Sequence, residues 1–188
     1  MRQFVFVFSL AFLGLTLAAT GLGHLLRFRQ FSALIHMQRM IPGRASAASA
    51  ALVTGIELAL ATVLALGVAG LLAFDGLKYW LVVCGGLGGM FLYYVHRLMR
   101  APVRAVSCGC SPIESPVSPA SYYPAAALIL CSCVSMTAGL SLERWPAATA
   151  TSLGPFALWM PTALAAVLAG LILLFPASVP GAERSAAR

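Results

Sequence analysis

Apolar residues in this chain come in long continuous runs, and polar residues gather in the short stretches between them. Five runs stand out, at residues 4–23, 45–74, 77–98, 119–142 and 155–175. Each is close to or longer than the roughly 20 residues an α-helix needs to cross the hydrocarbon of a bilayer. Backbone groups in lipid must find their partners inside the protein, which favours helices for such runs. The pattern predicts an all-α polytopic membrane protein, a single integral domain over residues 1–188. Short connections predict an up-down antiparallel bundle of four to five transmembrane helices, the fifth peripheral. The first run follows Arg2 as a signal peptide would, but GLGHLLRFRQ behind it has no clear A-x-A-like cleavage pattern, so it reads as a retained helix.

Residues 24–44 break the apolar pattern. Leu25, Leu26, Phe28, Phe31, Leu34 and Ile35 alternate there with Arg27, Arg29 and Arg39, which suits an amphipathic helix lying in the interface. Pro42 and Gly43 then interrupt the chain before the second run. Small residues recur four apart at Ala47, Ala51, Gly55 and Ala59, and the third run carries Gly85, Gly86, Gly88 and Gly89. Such stripes let helix backbones approach closely, so close packing is their expected role.

Composition agrees with the pattern. Hydrophobic residues make up 61% of the chain and charged residues 9%, against about 25% charged in soluble domains. The net charge of +7 comes from twelve Lys and Arg against five Asp and Glu. These charges lie between the apolar runs, where they report topology and lipid headgroups and not a nucleic-acid partner. Arg27, Arg29, Arg39, Arg44, Arg97, Arg100, Arg104, Arg184 and Arg188 fall on one side of the five-crossing topology, and Arg2, Lys78 and Arg144 on the other. That bias puts the first group in the cytoplasm. No nucleotide fingerprint, Walker loop, zinc-protease motif or serine elbow occurs.

The chemistry-bearing stretch is VSCGCSPIESPVSP, where Cys108 and Cys110 flank a glycine in the loop at residues 99–118. Buried thiols usually sit in apolar helices. Thiols in a Pro/Ser-rich loop are open to attack, exchange or metallation, and a neighbouring positive charge such as Arg100 or Arg104 favours the reactive thiolate. A disulfide inside Cys-x-Cys closes a cramped ring that is easily reduced, which suits exchange better than stapling. Three uses are open to the pair: redox exchange, a copper(I) carrier site, or an inert turn. Zinc is disfavoured because two more ligands at finger spacing are missing.

Cys84, Cys131 and Cys133 lie within the apolar runs, too deep to pair with Cys108 or Cys110 but at depths that match one another. Small apolar core residues are their expected role. Glu57, in LVTGIELALATV, is the one acid well inside an apolar run. Its insertion costs about 3 kcal/mol, so it should face the bundle, protonated or paired. It serves either as a contact for a proton or quinone, or as a helix-to-helix hydrogen bond. His24 and Arg27 are the candidate partners, and His36 and His96 read as interfacial residues.

The order of these features resembles the methylamine-utilisation protein MauE and its DoxX-like relatives. The resemblance runs over most of residues 10–135: a glycine-bearing first helix ending in GLGHLLRF, a basic segment closed by IPGR, the acidic helix GIELALATVLAL, and a third helix with basic residues before CGC. The chain departs from the family pattern at His24, where Lys is common, at Ser111 and Pro112, where Phe-Gly often follows CGC, and at Tyr122 and Tyr123, where Arg-Asn often stands. The resemblance implies a redox-associated protein of the cell's inner membrane. It would act beside a thioredoxin-like partner, in disulfide formation or in maturing an extracytoplasmic enzyme. Cys108 and Cys110 match the family's cysteine pair and Glu57 its helix-two acid, and a quinone is the expected electron acceptor. The rival reading is a non-catalytic accessory subunit anchored in a larger membrane complex. Thiol oxidation of exported proteins needs the CGC loop outside, against the arginine count, and the chemistry is given precedence.

Overall fold

The computed structural model describes residues 2–37, 42, 45–100, 119–140 and 160–169. It comprises α1 (Arg2–Leu26), α2 (Phe28–Met37), α3 (Ser46–Val68), α4 (Phe74–Arg100), a 3-10 turn at Pro119–Ser121 leading into α5 (Tyr122–Leu140), and α6 (Met160–Ala169). No strand occurs among the described residues. Four helices, α1, α3, α4 and α5, are long and apolar enough to cross a membrane. This is the all-α polytopic fold expected.

Close approaches fix the antiparallel order. Positions Gly14 and Gly21 of α1 lie against Leu64 and Leu58 of α3, so the two run in opposite directions. Likewise Gly85 and Gly88 of α4 face Ser132 and Leu128 of α5. Phe6 of α1 meets the Phe74 ring edge-on at 5.9 Å, which puts the start of α4 at the N-terminal end of α1. The C-terminus of α1 and the N-termini of α3 and α5 therefore share one end of the bundle with the C-terminus of α4.

Helix α1 is the centre. Within its most apolar window 67% of the residues are buried, against 33%, 33% and 28% for α3, α4 and α5. A helix packed on most sides has to be apolar nearly all round, as the run FVFVFSLAFLGLTLA is. Leu10, Leu13 and Leu17 meet Leu60 and Leu64 of α3, Leu81 and Cys84 of α4, and Leu128 of α5 in one core. Helix α6 covers part of the expected fifth crossing. Its Ala165 and Ala169 pack on Ala11 and Phe12, while Met160, Leu164, Val167 and Leu168 are exposed.

Two boundaries differ from the sequence reading for identifiable reasons. The run at 45–74 divides because Gly70 adopts φ 73°, the left-handed conformation that ends a helix. Leu71 N–H then donates to Leu66 O at 2.9 Å and Gly70 N–H to Gly67 O at 3.0 Å, a Schellman cap on α3. At the other end α1 runs on to Leu26, so His24 belongs to a spanning helix and not to the interfacial segment. The interfacial helix itself is α2. It buries Phe31 and Ile35 against Ala50 of α3, with Phe28 and Val53 beside them, and exposes Arg29, Gln30 and His36.

The two small-residue stripes have different fates. Ala47, Ala51, Gly55 and Ala59 all lie on the exposed face of α3, so their expected packing role is not exercised among the described residues. On α4 only part of the glycine cluster is in a seam. A Cβ at Gly88 would lie 2.9 Å from Ile129 Cγ1 and 3.2 Å from Ala125 O, whereas one at Gly86 would meet nothing within 4 Å. Gly88→Leu is therefore expected to destabilise the bundle by about 1–3 kcal/mol through overpacking, and Gly86→Leu to be near neutral. Comparing the thermal unfolding of the two variants in detergent checks this, and equal effects would contradict the seam.

A buried acid and imidazole beneath an aromatic roof

Glu57 lies eleven residues beyond the first residue of α3 and is fully buried, 0% exposed. The 3.6-residue period puts it on the same face as Thr54, Leu60, Ala61 and Leu64, the face that packs against α1. Its Oε2 lies 2.9 Å from His24 Nδ1, and His24 is itself buried. Of the two candidate partners the structure selects His24. Arg27 is exposed at the bend that follows.

The geometry solves the electrostatic problem of a carboxyl group in an apolar bundle. One proton is shared along the Nδ1 to Oε2 line. Either the imidazolium N–H donates to a carboxylate, or the acid O–H donates to a neutral imidazole. Both arrangements are neutral overall, so neither leaves an isolated charge in low dielectric. The pair can therefore hold a proton on either member at little cost to the fold.

Helix α2 closes the site. The chain bends at Arg27, yet Arg27 N–H still donates to Gly23 O at 3.1 Å and Phe31 N–H to Arg27 O at 3.0 Å, so the helical path is nearly continuous through the bend. That path brings Phe31 over His24, with the rings 3.9 Å apart and 1° from parallel. Phe31 was legible in the sequence only as one apolar residue of an amphipathic segment. Its spacing of seven from His24, two helical turns, was the available signal. Removing the ring by Phe31→Ala should cost about 0.5–1.5 kcal/mol beyond the lost burial and admit water to His24. Faster amide exchange around His24, with the spanning helices still protected, is the readout, and unchanged exchange would contradict a roof.

Two further polar atoms are buried in this region without hydrogen-bond partners among the described residues, Glu57 Oε1 and Thr54 Oγ1. They lie one turn apart on the same face of α3. Thr54 carried no sequence signal. Groups of this kind normally find a partner, and here they keep capacity to accept or donate a further hydrogen bond.

The cysteines divide as follows. Cys108 and Cys110 lie outside the described residues. The chain leaves α4 at Arg100 and returns at Pro119, both at the end of the bundle that holds the His24–Glu57 pair. There His96 Nδ1 lies 3.2 Å from Tyr122 Oη, tying the last turns of α4 to the start of α5. Cys84 is buried in the core, Cys131 half-buried against it and Cys133 exposed, and all three are free thiols. Cys84 and Cys131 thus fill space as expected, whereas Cys133, expected in the same role, is exposed. Among the described residues no group of three or more His, Cys, Asp or Glu is placed to hold a metal ion.

A helical bundle of four spanning segments with an acid–imidazole pair inside it defines a multi-pass membrane protein with a protonatable interior. The chain belongs to the MauE family: the family model described as methylamine utilisation protein MauE matches residues 1–139. The match takes in α1 to α5 nearly whole, including Glu57, Cys108 and Cys110. No curated protein and no solved structure matches the chain.

Proposed function

We propose that this protein is a thiol-disulfide component of the inner membrane. It acts beside a thioredoxin-like partner in methylamine utilisation, and serves the maturation of an extracytoplasmic enzyme. Cys108 and Cys110 are the exchanging pair, on a loop facing out of the cell. In the exchange a thiolate of the partner attacks the Cys108–Cys110 disulfide, a mixed disulfide forms, and the partner's second thiolate resolves it. The partner leaves oxidised and the pair leaves reduced. Reoxidation removes two electrons and two protons from the pair, and a quinone takes up both to become the quinol.

The observation that supports this reading is the buried His24–Glu57 pair at the end of the bundle from which the cysteine-bearing segment departs. A quinone reduced within the bilayer needs protons where water is scarce. A pair that hands its proton on while taking up another from the thiols is neutral before and after each transfer, and so relays protons without stranding a charge. Glu57 Oε1 and Thr54 Oγ1 keep spare hydrogen-bonding capacity beside the pair.

The test is stoichiometric. Reduced protein in detergent is mixed with a short-chain quinone, and quinol formed is compared with thiols lost. The reading expects one quinol per Cys108–Cys110 disulfide, and none from a variant with both cysteines replaced by serine. Quinol formation undiminished in that variant would overturn it.

One observation favours a second reading, an accessory subunit docked in a larger membrane complex. The outward Ala47, Ala51, Gly55 and Ala59 face of α3 is the kind of surface against which another spanning helix packs closely. Bulky replacements there would release the complex and leave thiol exchange intact.

A further inference from the structure

The bend between α1 and α2 forms an open cleft of about 680 Å³, lined by Leu25, Leu26, Arg27, Phe28, Arg29 and Gln30. Arg27, at the bend itself, and Arg29, in the first turn of α2, both line it and are exposed. Among the described residues, charge at this end is one-sided. The only described acids are Glu57, fully buried against His24, and Asp75, paired with Lys78 at the opposite end of the bundle. Neither guanidinium takes part in an ion pair among the described residues. Directly below the arginines, Leu22, Leu25 and Leu26 turn outward, Leu26 with 84% of its surface exposed. Cation above and apolar surface below, at the mouth of a spanning helix, match the two parts of a phospholipid in their natural order.

We propose that this cleft is a binding site for the phosphate headgroup of an anionic phospholipid, its acyl chains lying along Leu22, Leu25 and Leu26. Planar guanidiniums bind phosphate oxygens through paired charge-assisted hydrogen bonds, and Gln30 supplies a further amide donor. Net negative charge decides the preference: a zwitterionic headgroup carries its own cation into the cleft, and a phosphatidylglycerol headgroup does not. A lipid clamped between Arg27 and Arg29 also ties the end of α1 to the first turn of α2, and so holds Phe31 over His24. The site is independent of which way the bundle is inserted. With the cysteine-bearing loop outside, as in the proposed function, it also accounts for arginines that the positive-inside rule would not put there.

The experiment uses the full-length protein, reconstituted with equimolar phosphatidylglycerol and phosphatidylcholine, extracted in mild detergent and weighed with its retained lipid by native mass spectrometry. Wild type is expected to retain phosphatidylglycerol in roughly 30-fold preference, the scale set by two cations at an anionic surface. R27Q/R29Q should fall to the input ratio, while R97Q/R100Q at the same end of the bundle should keep the preference. Both arginines of the first variant are exposed, and an unchanged helical circular-dichroism spectrum confirms its fold. No preference in wild type, or a preference that survives R27Q/R29Q, would overturn the site. Displacement by millimolar inorganic phosphate would make it a free-phosphate site, and displacement by a polyglutamate peptide a docking point for an acidic protein; either contradicts the lipid assignment. A variant with both Cys108 and Cys110 replaced by serine should bind lipid as wild type does, which separates failure of this inference from failure of the redox reading.

Discussion

Glu57→Ala is expected to lose both activity and about 3–5 kcal/mol of stability. The alanine removes one member of a buried hydrogen-bonded pair and leaves His24 desolvated without its carboxyl partner, a costlier state than either a complete pair or an apolar substitute for both. Glu57→Gln should behave differently. The amide is nearly the same shape and still reaches His24 Nδ1, so stability should fall by no more than about 1 kcal/mol. An amide, however, cannot pass a proton, and reoxidation of the protein by quinone should drop at least tenfold. Thermal unfolding in detergent and quinol production, measured on both variants, separate the two effects. If Gln is fully active and Ala merely unstable, the pair is only a structural tie between α1 and α3. If both variants are active and stable, neither role stands.

Cys108→Ser and Cys110→Ser are each expected to abolish thiol exchange, because a serine hydroxyl is not oxidised and forms no disulfide. Neither variant can form the disulfide that the partner attacks, so neither should cross-link to a reduced partner. The mixed disulfide should instead accumulate when Cys108 and Cys110 are both intact and the partner lacks its second, resolving cysteine. A non-reducing gel of such membranes should show a higher-mass band, lost on adding reductant and absent from both serine variants. Exchange at wild-type rate in either variant would remove the pair from the mechanism. Serine at Cys84 or Cys131, which only fill the core, should alter stability slightly and leave exchange intact.

What the sequence conveyed and what it concealed divide along physical lines. The spanning helices were legible because a bilayer demands length and apolarity, and both are local properties of the chain. Glu57 was legible for the same reason, as a costly residue in an otherwise apolar run, and the cost itself demanded a partner such as His24. The stop at Val68 was concealed, since Ala69 to Ala73 is apolar throughout and hydropathy does not register a left-handed Gly70. The outward turn of the α3 stripe was concealed more deeply. In water an apolar stripe points inward, but lipid is as apolar as a protein core, so spacing identifies one face of a helix without saying which way it looks. Phe31 was legible only as a position two helical turns from His24; its stacking on the imidazole depends on the bend at Arg27, which that spacing does not encode. The resemblance to MauE rested on the GLGHLLRF ending, the acid in α3 and CGC, and the family match spans them all.

Thiol trapping in native membranes measures directly whether Cys108 and Cys110 change redox state as the protein works. Membranes are quenched with acid, alkylated with a mass-shifting maleimide before and after reduction, and compared with and without the thioredoxin-like partner in its reduced form. A disulfide-linked pair is expected in resting membranes, becoming two free thiols when the reduced partner is supplied and returning to the disulfide when quinone is added. A pair that keeps one redox state through all three conditions would contradict thiol exchange.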